Sequence, residues 1–133
     1  MKSKYCYFDS AAQMSIIRKQ LHALSQHHTD LLGKLIDTDE MIVGSFFMVY
    51  KTCSKKNCCC QKGKKHGPFA ALSFSSAGRL RHKIVREDDK VEVAVKSKTY
   101  KAFQTRRKQL RKVENGINEQ LDRLRAIRTR EYE

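Results

Sequence analysis

Phe69-Ala-Ala-Leu-Ser-Phe-Ser75, then Ser76-Ala-Gly78, then Arg79-Leu-Arg-His-Lys-Ile-Val85 decide how this chain folds. Two short runs rich in β-branched and aromatic residues, separated by a small glycine-bearing turn, predict an antiparallel hairpin. The second run alternates cleanly. Leu80, His82 and Ile84 fall on one side, and Arg79, Arg81 and Lys83 on the other. Upstream, Met41-Ile-Val-Gly-Ser-Phe-Phe-Met-Val-Tyr50 has the same strand character. Between the first strand and the hairpin lies Cys53-Ser-Lys-Lys-Asn-Cys58-Cys59-Cys60-Gln-Lys-Gly-Lys-Lys-His66-Gly67-Pro68. Pro68 suits the exit of that loop. The prediction is a three-stranded antiparallel sheet with the cysteine loop joining its first two strands.

Helices are expected on either side. Met14, Ile17, Leu21, Leu24, His28, Leu31 and Leu35 follow alternating steps of three and four, a narrow apolar stripe that needs a partner helix. Ser10 with Gln13 reads as a capping box, with Asp9 just before it. His28, the one polar member, is expected to pack its ring in the seam with its nitrogens toward water. Thr38-Asp39-Glu40 ends the pattern. Downstream, Glu87-Asp88-Asp89 offers a cap and first-turn acids, whereas Val91-Glu-Val-Ala-Val reads equally as strand. Phe103, Leu110, Ile117 and Leu124 then recur every seven residues, with Val113, Leu121 and Ile127 assigned to the same face and Gly116 as a weak point. The fold class is therefore α+β: a small three-stranded sheet with a zinc-pinned loop, flanked by an N-terminal helix and a long C-terminal helix that form a coiled-coil-like pair, within one chain or across a homodimer. One domain is expected over residues 1–133, with the first helix at 9–36, the zinc and β module at 41–86 and the basic helical region at 88–130.

The chain has 133 residues and a formal net charge of +14. Residues 1–50 balance five basic side chains (Lys2, Lys4, Arg18, Lys19, Lys34) against five acids (Asp9, Asp30, Asp37, Asp39, Glu40), so the whole excess lies in residues 51–133. Segregated positive charge is the footprint of a polyanion partner. No apolar run reaches about 18 residues, which predicts no membrane span. Met1 to Asp9 lacks an apolar run after its lysines and does not read as a signal peptide. Five cysteines, four of them clustered, fit a metal site in a reducing cytoplasm better than a disulfide framework.

Cys53, Cys58, Cys60 and His66 offer zinc the four thiolate and imidazole ligands it prefers, and four protein ligands make the site structural. Cys59 is the spare, or an alternative to Cys58. Free thiols in a basic loop, and an iron–sulfur cluster, are competing readings. Cys6 stands alone and reads as an ordinary thiol.

The candidate nucleic-acid contacts fall in three groups. Lys55, Lys56, Lys62, Lys64 and Lys65 flank the ligands. Arg79, Arg81 and Lys83 share one side of a strand. Lys101, Arg106, Arg107, Lys108 and Arg111 belong to a helical stretch with no acid from residue 93 to residue 113. Lysines position a protein on phosphates, whereas arginine forks on a β-ribbon match guanine edges in a major groove. A solvated sheet face or helix face is the competing reading. No paired-acid, nucleophile–base or Walker-type pattern is present, so no enzymatic activity is expected.

Gly44-Ser45, Cys53-Ser54-Lys55, Cys58, Cys60, His66-Gly67-Pro68-Phe69, Gly78 and the basic run Arg79 to Lys83 resemble a family of short, uncharacterised bacterial proteins often encoded near transposases and recombinases. The likeness spans about residues 44–86. It departs at Ser54, where that family favours glycine, and at Phe69-Ala70, where it favours a tyrosine pair. Within the group, the layout is similar to recombination auxiliary proteins of strand-biased circularising integrative elements. The resemblance implies a nucleoid-associated accessory factor that binds duplex DNA beside a tyrosine recombinase and assists excision or integration without catalysing it. An RNA-binding zinc module is one alternative. There Phe46, Phe47, Phe69 and Phe74 would stack on bases, although most of them are expected in the core. A protein-interaction adaptor for a recombinase is the other.

Overall fold

A computed structural model describes residues 4–132, and side chains from Ser10 onward; Cys6 therefore lies outside the described side chains. The elements run α1 (Lys4–Ile36), β1 (Ser45–Lys51), a short 3-10 turn (Cys59–Lys62), β2 (His66–Ser76), β3 (Arg79–Ile84), a second 3-10 turn (Glu87–Asp89) and α2 (Lys90–Arg128). The chain divides into two compact units. Residues 1–37 with 105–133 form one, and residues 38–104 form the other.

The first unit is an antiparallel helix pair within one chain. From Gln13 to Ile36, every stripe position of α1 is buried or half-buried and every other position is exposed. Met14, Ile17 and Leu31 are the deepest. A Cβ on Gly116 would stand 3.4 Å from a Leu24 methyl, so glycine permits close approach at that crossing. Three readings change. The helix starts at Lys4, because neither glycine nor proline interrupts the chain before Gly33; Ser10 lies inside it and caps nothing. His28 packs in the seam as expected but also finds a protein partner, its Nε2 lying 3.4 Å from Glu114 Oε1. On α2 the stripe runs Val113, Ile117, Gln120, Leu124, Ile127, in steps of four and three. Gln120 is therefore buried, with its Oε1 unpartnered among the described residues, while Leu121, one position off the stripe, is 45% exposed.

The second unit holds the sheet, in the order β1-β2-β3 and antiparallel throughout. Ala77 (φ 52°) and Gly78 (φ 77°) make the two-residue turn between β2 and β3. Positive φ at both positions matches the twist of the flanking strands. β1 is shorter than its apolar run. Residues 41–44 instead attach to the start of α2, with Ile42 N–H donating to the Lys96 carbonyl (3.2 Å). Lys96 Nζ reaches Glu40 at 3.0 Å and Glu92 at 2.6 Å. Ser97, 1% exposed, donates its hydroxyl to the Gly44 carbonyl (2.8 Å) and accepts from Phe46 N–H (3.2 Å).

Gly44 explains why the strand begins where it does. Its φ is +132°, and an added Cβ would lie 2.7 Å from the Ser73 carbonyl oxygen and 2.9 Å from Leu72 Cγ. Gly44→Ala is expected to destabilise this unit by at least about 2 kcal/mol, from strain plus steric conflict. Chemical denaturation monitored by circular dichroism reads the shift; an unchanged midpoint would mean that this close approach does not exist.

Candidate metal centre and basic surface

The cysteine loop is built by local hydrogen bonds. Cys58 N–H donates to the Lys55 carbonyl (3.3 Å) and Gln61 N–H to the Cys58 carbonyl (3.1 Å). Gln61 Nε2 donates to the Cys53 carbonyl (3.2 Å) and ties the two ends of the loop. Gly63, at φ +104°, closes the 3-10 turn. His66 opens β2 and pairs with Lys51 across an irregularity in the ladder, so the fourth side chain is delivered by the sheet and the other three by the loop.

These elements bring Cys53, Cys58, Cys60 and His66 together, with all four donor atoms within 4.8 Å of one another. Cys53 Sγ lies 3.4 Å from Cys60 Sγ, and Cys58 Sγ lies 3.1 Å from His66 Nε2. Cys53 N–H donates to Cys60 Sγ at 3.3 Å, a backbone bond of the kind that steadies a thiolate ligand. Cys60 is 2% exposed. Cys59 is exposed and takes no part. Cys58 is extended and Cys59 opens the 3-10 turn, whose successive side chains point in different directions, and this separates Cys59 from its neighbours.

The electrostatics suit a cation. The Cys60 backbone N–H, then hydrogen bonds from Cys53 and Cys60 and a lesser one from His66, bring the Cys58 thiol down to about 6, against the opposing effect of burial. At Cys53 the Lys55 backbone N–H also favours the thiolate. Its hydrogen bond to Cys60, its burial and the adjacent Cys58 charge outweigh that and leave its pKa raised. The pair thus loses its first proton easily and its second reluctantly, as two like charges in contact should. A bound metal ion would remove that conflict. The cluster could hold one: its donors are soft, close together and free of carboxylates.

The other candidate residues are placed as follows. Lys55, Lys56, Lys62, Lys64 and Lys65 are exposed around the cluster. Arg79, Arg81 and Lys83 are exposed on β3, where the register puts them on the side of Ser76, Phe74 and Leu72. Lys101 lies on the part of α2 within the sheet unit. Arg106, Arg107, Lys108 and Arg111 lie on the part within the helix pair, with Arg106 half-buried and the rest exposed. The expectation of phenylalanines in the core fails. Phe46, Phe47 and Phe74 are half-buried and Phe69 is 41% exposed, because a three-stranded sheet is too small to cover both faces.

One signal was not used in the sequence reading. Between Glu40 and Glu87 there is no acidic residue, while ten lysines and arginines occur. The sheet and the metal loop together therefore carry positive charge only.

Among the described residues, no helix is long and apolar enough to cross a membrane. A family model described as Domain of unknown function (DUF6788) matches residues 17–95, from the middle of α1 through the cysteine cluster and the sheet to the first turns of α2. No curated protein and no solved structure matches the chain.

Proposed function

We propose that this chain, which belongs to the DUF6788 family through more than half its length, is a DNA-binding accessory protein built on a structural zinc site. The observation that carries the reading is the acid-free stretch of residues 41–86, with nine cations on the sheet and around the cysteine cluster and Arg86 just after β3. Such a surface attracts phosphates and repels other cationic surfaces. Zinc is the metal that best suits three sulfurs and one imidazole nitrogen. Tetrahedral ligation, with sulfur at about 2.3 Å, puts ligand atoms about 3.8 Å apart, close to the spacing here. Four protein ligands leave no open position, so the metal's role is to hold the loop and its lysines against β2.

In this reading the loop lysines grip the duplex backbone, and Arg79 and Arg81 meet base edges from the exposed edge strand. The cationic turns of α2 add phosphate contacts. The resemblance to recombination auxiliary proteins supports a role beside a tyrosine recombinase, in excision or integration of a mobile element.

The test is selection of bound sites from a randomised duplex pool, followed by titration of the winning site and a scrambled one across a salt series. A preference that persists as salt rises, and that is lost in Arg79→Ala/Arg81→Ala, is the expected result. Each bidentate arginine lost should relax discrimination by about tenfold or more. Absence of any duplex binding would overturn the reading.

A further inference from the structure

The sheet has a second face that the duplex reading leaves unused. Antiparallel register sets Phe47 beside Ala71 and Ile84 in neighbouring strands, and Val49 beside Phe69. All of these lie opposite the side that carries Arg79 and Arg81. At the floor of this face Ala71 is only 1% exposed. Around it the face is open: Leu80 is 69% exposed, Ile84 51% and Phe69 41%. A cleft of about 290 Å³ opens there between Phe47, Ala71, His82 and Ile84, with Lys51 and Lys83 also along it. The Phe47 and His82 rings meet edge to face, with centroids 5.7 Å apart at 82°. That contact fixes both rings as walls of the cleft.

An open apolar face needs an occupant, and the surrounding charge narrows the choice. The same face of a second copy, residues 41–86, would bring ten more cations and no acid to the same place, which like-charge repulsion opposes. A duplex keeps its base faces stacked and inaccessible. An unpaired strand offers what the face lacks, a planar apolar base on a negatively charged backbone. Sheets that bind single strands use this combination of ring-bearing floor and flanking cations. The cleft lies at the small end of ligand pockets, suited to one heterocycle.

We propose that this cleft takes an unpaired base of a single-stranded nucleic acid, with Phe47 and His82 as its ring-bearing walls and Lys51 on the flanking phosphate. The proposal rests on the nucleic-acid reading above and adds a second, strand-specific site to it. It gives one module two faces: basic strand residues for paired DNA, and an aromatic cleft for a base released from pairing.

The experiment uses the full, zinc-loaded chain and three labelled probes followed by fluorescence anisotropy: a short oligothymidylate, an abasic strand of the same length and charge, and a duplex. Oligothymidylate should bind about tenfold or more tightly than the abasic strand, the worth of one stacked base. His82→Ala, at an exposed wall of the cleft, should erase that ratio while leaving duplex affinity unchanged. Ile84→Ser, on the cleft wall and 51% exposed, should reduce the ratio in the same direction; circular dichroism checks that both variants fold. Equal affinity for the two single strands, or a ratio that survives both substitutions, would overturn this proposal alone if duplex binding persists. Failure of all three probes to bind would overturn the duplex reading together with it.

Discussion

Cys60→Ser is expected to weaken zinc binding by more than about 100-fold. Loss of a residue that only supports a ligand typically costs about 10–100-fold in metal affinity, so loss of a ligand must exceed that range. The position amplifies the effect. Cys60 is 2% exposed, and its sulfur both neighbours Cys53 Sγ and accepts the Cys53 N–H. Serine would lose the soft donor, and its shorter C–O bond would draw the acceptor back from that amide. Structural zinc contributes directly to folding free energy, so the loop should lose order as the metal is lost, and the start of β2 at His66 should loosen with it. Competition with a chromophoric chelator measures the affinity, and amide exchange across residues 53–66 measures the order. Cys59→Ser is the control and should leave both unchanged. Wild-type zinc affinity in Cys60→Ser would dismiss the four-ligand centre; a deficit in Cys59→Ser equal to that in Cys60→Ser would place Cys59 among the ligands.

The second large effect concerns salt. Each phosphate contact releases counterions and contributes about 0.9 to the slope of log affinity against log salt. Replacing Lys55, Lys56, Lys62, Lys64 and Lys65 with glutamine is therefore expected to flatten the duplex-binding slope by about 4.5. These side chains are exposed, and they surround a cluster with no acid within its stretch of sequence to compete for them. The loss should be uniform across duplex sequences, because lysines carry charge and little base preference. An unchanged slope in folded, zinc-loaded protein would remove the loop from the interface and leave the α2 cations as the phosphate contacts.

The parts legible in the sequence were those where one residue type has one job. The steps of three and four from Met14 to Leu35 appear in the structure as the buried face of α1, position for position. The hairpin and the alternation of β3 emerged as read, with the turn one residue tighter because Ser76 pairs with Arg79 at the end of β2. The four metal-site residues proved close in space, because a compact loop leaves them little room to diverge. What was not legible depended on partners distant in sequence. Nothing near Met41 to Gly44 shows that this β-rich run will be taken by Lys96 and Ser97 rather than by β2. Nothing near Gln120 marks it as a seam residue except a phase that heptad counting missed by one position. The phenylalanines looked like core because aromatic residues are usually buried; how much of a sheet gets covered depends on the size of what packs against it, which composition does not give.

Ser97 links these points to the order in which the molecule is made. Its hydroxyl completes two backbone groups of the segment entering β1, about fifty residues earlier. On the ribosome, all three strands and the cysteine loop are synthesised before this serine. The growing chain can therefore close the hairpin and bring Cys53, Cys58, Cys60 and His66 together while the Gly44 carbonyl and the Phe46 amide still bond to water. Only when the first turns of α2 emerge can the entrance to β1 become fixed, because the serine that secures the first strand comes after the cysteine loop in the chain.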